Sequence, residues 1–204
     1  MKEKIIAMAM LSALSFFYLY APCQAEEPTE GIRRMLEEMM SIQGDPELQG
    51  HEFREVRRIA IKKVIAKNFD FDAMAEQSLG RYWQELNGAQ RTEFKGIFQD
   101  LFQDSYTRLV LDFLRQETIL YTEEDINQGR AVVKTTILRT HEEIPVNYFL
   151  ALVNEEWLVH DVKIDGVSIV QNYRKSFGRV IKRESYQILL QKMRLQLQAI
   201  EKSS

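Results

Sequence analysis

The chain has 204 residues, 45% of them hydrophobic and 28% charged, with 27 Lys and Arg against 30 Asp and Glu for a net charge of −3. That length suffices for one domain with a sizeable core. The slightly acidic balance excludes the basic stripe of a nucleic-acid-binding protein and strong electrostatic adhesion to anionic membranes.

Residues 1–25 follow the pattern of an export signal. Lys2 and Lys4 precede an apolar run over 5–20, and Cys23-Gln24-Ala25 places small residues where a signal peptidase reads them. The run is shorter than the roughly 20 residues of a membrane-spanning helix. Tyr20-Ala21-Pro22 is a poor lipid-attachment sequence in front of Cys23. Cleavage after Ala25 is therefore expected. It leaves 26–204 as a single exported domain with no cysteine, which must be held together by an ordinary core.

A helix is predicted over 30–40 from the spacing of Ile32, Met35, Leu36, Met39 and Met40, and Gly44-Asp45-Pro46 ends it. A second runs over about 52–68. Asp70 and Asp72 then mark a helix start, Asp70 as the cap and Asp72 at the positive end of the dipole. Beyond Gly88 comes a long amphipathic helix over about 90–116, whose apolar face carries Phe94, Phe98, Phe102, Leu109, Val110 and Phe113, with Tyr106 near its edge. Such a face packs as core or walls an apolar cavity.

From 118 to 164 the apolar period changes to two. Four strands are predicted, over 119–126, 131–140, 145–153 and 157–164, joined by short antiparallel connections. Residues 146–153 are apolar or aromatic on both faces, as in a strand at least partly covered on both sides. Residues 161–177 then read as a strand end, the turn Asp165-Gly166, and a helix capped by Ser168 in a Ser-x-x-Gln box with Gln171. A last helix runs to about 200. Helices, then strands, then helices imply an α+β fold, with an antiparallel four-stranded sheet packed on several helices.

Little in the chain suggests bond-breaking chemistry. His51, His141 and His160 have no metal-ligand spacing, and no phosphate loop or nucleophile elbow occurs. His160-Asp161 is the one acid–base pair, but strand neighbours point to opposite faces. Arg174, beside Tyr173, is a cation placed to face either a ligand head group or a surface carboxylate. An apolar-ligand carrier is the natural expectation, because such cargo needs a cavity and few polar groups. A small-molecule enzyme using His160 or Asp161 as base, and an assembly adaptor without cargo, are the rival readings. No cofactor and no metal are expected.

Several spaced pieces share one resemblance. They are Phe69-Asp70-Phe71 with Met74-Ala75, Leu79-Gly80 with Trp83, and Gln90-Arg91 with Phe94, Phe98 and Tyr106. Pro145-Val146 with Tyr148, Trp157, and Gly166-Val167-Ser168 through Asn172-Tyr173-Arg174 and Phe177 complete the set. In this order they resemble the MlaC-type periplasmic phospholipid-binding proteins, the toluene-tolerance auxiliary family, over about 57–190. The resemblance implies a soluble, monomeric periplasmic carrier of phospholipid. Such a carrier serves an ABC-type transport system that maintains outer-membrane lipid asymmetry. Its partners would be an outer-membrane lipoprotein complex and an inner-membrane substrate-binding protein. A hopanoid-associated branch makes another lipid an alternative cargo. On this reading the acyl chains lie between sheet and helices against Phe98, Phe102, Tyr148, Leu150, Val159, Val167 and Phe177, with Tyr106, Tyr173 and Arg174 at the mouth.

Overall fold

The computed structural model describes residues 26–202, so the expected leader and its cleavage after Ala25 lie outside the described residues. Helix α1 (Pro28–Gly44) opens on proline, whose fixed φ suits a first turn, and buries Ile32, Met35, Leu36 and Met39. One of its free N–H groups is met from a distance. The Thr29 amide and hydroxyl donate to the Glu124 carboxylate at 2.7 and 2.5 Å, which also sets a negative charge at the positive end of the helix.

Helix α2 (Arg54–Asn68) is tied to the long helix α4 (Gly88–Phe113) through Asp104. Arg58 and Lys62 reach one oxygen of this 8% exposed carboxylate at 2.9 and 2.7 Å, so the buried charge is paired. Between them lies α3 (Phe71–Leu79), capped as expected by Asp70, whose side chain accepts from the Ala73 amide at 2.9 Å. Helix α4 starts at a full capping box made by Asn87 and Gln90. It ends at Phe113, about three residues earlier than its apolar period suggests.

Five antiparallel strands follow in simple up-and-down order: β1 (Thr118–Asn127), β2 (Arg130–Arg139), β3 (Glu142–Val153), β4 (Glu156–Ile164) and β5 (Val167–Ser168). The expected count of four is thus corrected to five. Asp165 and Gly166 both have positive φ, 47° and 77°, the geometry of a two-residue hairpin that turns the chain straight back onto β4. Two residues are too few to leave a period-two signature. Strand β3 also starts at Glu142, inside the stretch expected to be a turn.

One face of the sheet is the core face, carrying Ala131, Val133, Thr135, Val146, Tyr148, Leu150, Val159 and Val162, all buried. The period breaks at His160: Leu150 pairs with Val159 and Phe149 with Asp161, so His160 is the extra residue of a bulge. The bulge explains how Val159 and Val162, three apart, are both buried. As expected, β3 is at least partly covered on both faces, fully on the core face at Val146, Tyr148 and Leu150 and partly on the other. Phe149 on the other is half-buried, under the Lys163 ammonium 5.5 Å from its ring centre. Helices α5 (Ile169–Arg183) and α6 (Tyr186–Lys202) close the core against α3 and α4.

Candidate functional site

The two halves of α4 do different things. Phe94, Phe98, Phe102 and Tyr106 succeed one another at four-residue spacing, so their rings lie one above the next on the buried face. The centroids are 6.0, 6.2 and 5.5 Å apart, each pair nearly parallel. Phe177 meets the first two rings edge-on, Tyr173 packs on Phe98 at 5.5 Å, and Phe69 closes on Phe102 and Tyr106 at 5.5 and 5.2 Å. This half is solid.

Beyond Tyr106 the packing opens into an apolar cavity of about 220 Å³ between the C-terminal half of α4, α1 and the sheet. Tyr106, Leu109, Val110, Phe113 and Leu114 form its helical wall, with Leu36 from α1. The sheet supplies the opposite wall from successive rungs of one face: Tyr148, then Val146 beside Ile164, then Ile144 opposite Ile137, and last Arg139. Tyr148, 1% exposed, closes one end, and Phe113, 52% exposed, stands at the other. From Tyr148 to Ile144 the strand covers about 14 Å. The end of the helical wall is latched to α1 by the Gln43 amide, which donates to the carbonyls of Val110, Leu111 and Leu114 at 3.1, 3.1 and 3.0 Å. The Val110 carbonyl also accepts from the Leu114 amide at 2.9 Å, the last hydrogen bond of the helix.

Inside, Tyr106 and Tyr148 share a hydrogen bond. Burial pushes the Tyr106 hydroxyl up to about 12 and the Tyr148 hydroxyl well above its ordinary value. With the phenols satisfied by each other, this end offers water little to hold. An unfolded chain releases tyrosine protons near pH 10. Between about pH 10 and 12 the unfolded state therefore binds fewer protons than the folded one, so stability falls as pH rises through that window and is flat below it. In urea titrations at successive pH values, Tyr106→Phe should make that alkaline fall shallower. An unchanged fall would show that this phenol is not its source.

Of the ten side chains expected around the ligand, Tyr106 and Tyr148 wall the cavity. Phe98, Phe102, Tyr173 and Phe177 belong instead to the solid aromatic half, where other rings already fill the space. Leu150 and Val159 are buried and paired with each other on the far side of Tyr148. Val167 is 61% exposed, one strand outward from Ile164, on the same face. Arg174 packs on Gly80 at the end of α3: a Cβ there would lie 2.5 Å from its Nε, and φ there is +56°. It is the positive φ that calls for glycine here, since the guanidinium, at the end of a flexible side chain, can shift.

Asp161 does not face a reactant. It accepts from the Val162 and Val170 amides at 2.9 and 3.1 Å and from the Ser168 hydroxyl at 2.5 Å, joining β4 to the positive end of α5. Ser168 caps that helix as expected, accepting from the Gln171 amide at 3.0 Å. His160 lies 3.5 Å from the Gln77 amide, and burial, reinforced by Arg130, lowers its pKa below the ordinary value. Among the described residues no three His, Cys, Asp or Glu side chains stand together as a metal site.

Sequence reasoning missed Ile137, Arg139, Ile144, Val146 and Ile164. Their signal was the pairing across three strands, which becomes legible once the hairpin registers are known.

Three comparisons bear on what such a cavity is for. The profile of the family described as MlaC protein matches residues 33–195. The intermembrane phospholipid transport system binding protein MlaC of Haemophilus influenzae is 18% identical over 141 residues, which is 67% of this chain and 66% of that protein's length, just under two thirds. The fold is similar to that of a phospholipid-binding protein from Ralstonia solanacearum, solved in complex with a phospholipid. The TM-score is 0.72 with 22% identity, over 84% of this chain and 97% of the other.

Proposed function

The chain belongs to the MlaC protein family, and from that membership together with its cavity we propose that it is a carrier that binds phospholipid and moves it through an aqueous compartment. The observation that carries the reading is an apolar hole in an otherwise close-packed core. Side chains that wall such a hole lack contacts on one side, and an acyl chain in it restores them. The cargo gains more. Burying a CH₂ is worth about 0.8 kcal/mol, so a palmitoyl-length chain left in water costs on the order of 12 kcal/mol.

The volume, about 220 Å³, lies below the roughly 300–1,000 Å³ usual for a ligand pocket. It accommodates part of one acyl chain, and a whole phospholipid requires the end of α4 and α1 to move away from the sheet. The Gln43 contacts join those two segments to each other, so they move as one unit. Such a carrier needs no covalent step. It needs only an affinity between those of donor and acceptor.

In this proposal residues 1–25 are a leader removed on export, and 26–204 act as a monomer in the periplasm. The partners are an outer-membrane lipoprotein complex and an inner-membrane substrate-binding protein of an ABC transporter. Mass spectrometry of organic extracts of the purified protein tests it: phospholipid in stoichiometric amount is expected. Protein free of lipid would sink the carrier, and a hopanoid in its place would change the cargo but not the role.

A further inference from the structure

We propose that Arg139, with Glu117 as its resident counter-ion, is a head-group site at the cavity mouth that takes the phosphodiester of the bound lipid; this rests on the carrier reading above and sharpens it. Of the described residues that wall the cavity, Arg139 alone is charged. It follows Thr135 and Ile137 on the core face of β2, at the end away from Tyr148. Its guanidinium lies 5.2 Å from the centre of the exposed Phe113 ring. An acyl chain filling the cavity from Tyr148 outward leaves apolar surroundings at this level. The next groups of a glycerophospholipid are its esters and then the phosphodiester.

The local chemistry suits a phosphate oxygen. Arg139 donates through Nη2 to the Phe113 carbonyl and to Glu117 Oε1, the latter at 3.3 Å. A guanidinium has five donors in a planar fork that matches two oxygens of a phosphate. The distance to Glu117 exceeds the roughly 2.7–2.9 Å of a tight charged pair, so this is the contact that an incoming phosphate displaces. Glu117 stays in place when it lets go, because its other oxygen accepts from the Arg115 amide. The ion pair is sheltered, with the Arg139 and Glu117 side chains 26% and 15% exposed, so an exchange of partners there is less screened than on an open surface.

The two residues then have opposite effects on head-group recognition. Lipid-stripped protein is offered an equimolar mixture of a phosphatidylglycerol and the diacylglycerol with the same chains, and the bound ratio is read by native mass spectrometry. Arg139→Gln is expected to lower the phosphatidylglycerol-to-diacylglycerol ratio about tenfold, the scale of one charge-assisted hydrogen bond near water, while diacylglycerol uptake persists. Glu117→Gln, which removes the competitor for the guanidinium, is expected to raise the ratio. An ion pair that merely holds the mouth together would shift both variants the same way. A ratio unchanged in Arg139→Gln, or lowered alike in both variants, overturns the inference and leaves the carrier standing. Uptake of neither lipid by the wild-type protein overturns the carrier and the inference together. If Arg139→Gln does not fold, Glu117→Gln decides: a higher ratio supports the site, and an unchanged or lower one overturns it.

Discussion

Replacing Val146 by Trp is expected to leave the purified protein folded but with little or no phospholipid. Val146 is 3% exposed on the cavity face of β3, opposite Ile164 and one rung from Tyr148. Forcing extra atoms into a packed core ordinarily costs about 1–3 kcal/mol. Here the indole has a hole to enter, which puts the penalty at the low end of that range and removes the space the acyl chain would use. The measurement is lipid content by mass spectrometry, with a thermal melt of the same sample. Leu195→Trp, at a position 57% exposed on α6, serves as control and should keep its lipid. A folded Val146→Trp protein with its full complement of phospholipid would remove the cavity from the account, whatever the family.

Phe98→Ala should produce the largest loss of stability among the aromatic positions. The ring is fully buried and packs on Phe94, Phe102, Tyr173 and Phe177. Deleting a buried Phe side chain costs about 3–5 kcal/mol through lost transfer energy and the cavity left behind. For a domain of this size that lowers Tm by roughly 10 °C. Phe113, on the same helix but 52% exposed at the cavity mouth, should tolerate Ala with a change of less than about 1 kcal/mol and hold lipid more weakly. Thermal unfolding of the two variants side by side separates the solid half of α4 from the hollow one. Equal losses in both would mean that the division between the halves is wrong.

Much of the scaffold was legible because it depends on short-range chemistry. Asp70 caps α3 and Ser168 caps α5 through bonds reaching only three residues ahead. Asp165-Gly166 makes its turn because a two-residue hairpin demands positive φ and these residues tolerate it. The strands were readable from period-two burial and the long helix from its phenylalanines. Residues 161–177 carried the densest signal of all, and the structure makes them a corner: Asp161 ties a strand to a helix, and Arg174 lies over Gly80. Density of specific side chains marked a demanding piece of architecture, which meets the cavity only through Ile164.

The site was less legible. Phe98 and Tyr106 belong to the same apolar face of α4, and nothing in their spacing distinguishes a ring buried among rings from a ring beside empty space. The outcome depends on what other segments deliver to each position. Phe69, Tyr173 and Phe177 come from distant parts of the chain to fill the first half. The second half meets Ile137, Ile144, Val146 and Ile164, smaller side chains that stop short of it. Arg139 escaped notice for the same reason, since only the β2–β3 register sets it at the end of that row.

By itself the sequence determined the α+β order of elements, their caps and turns, the apolar faces, and a resemblance that the family match bears out. Those features follow from interactions between residues a few positions apart, or from patterns spread over most of the chain. The tertiary structure alone decided the bulge at His160, the fifth strand, and the position of the cavity at one end of a face whose other end is solid. A cavity is a mismatch in volume between surfaces brought together from distant parts of the chain, and no single segment contains it.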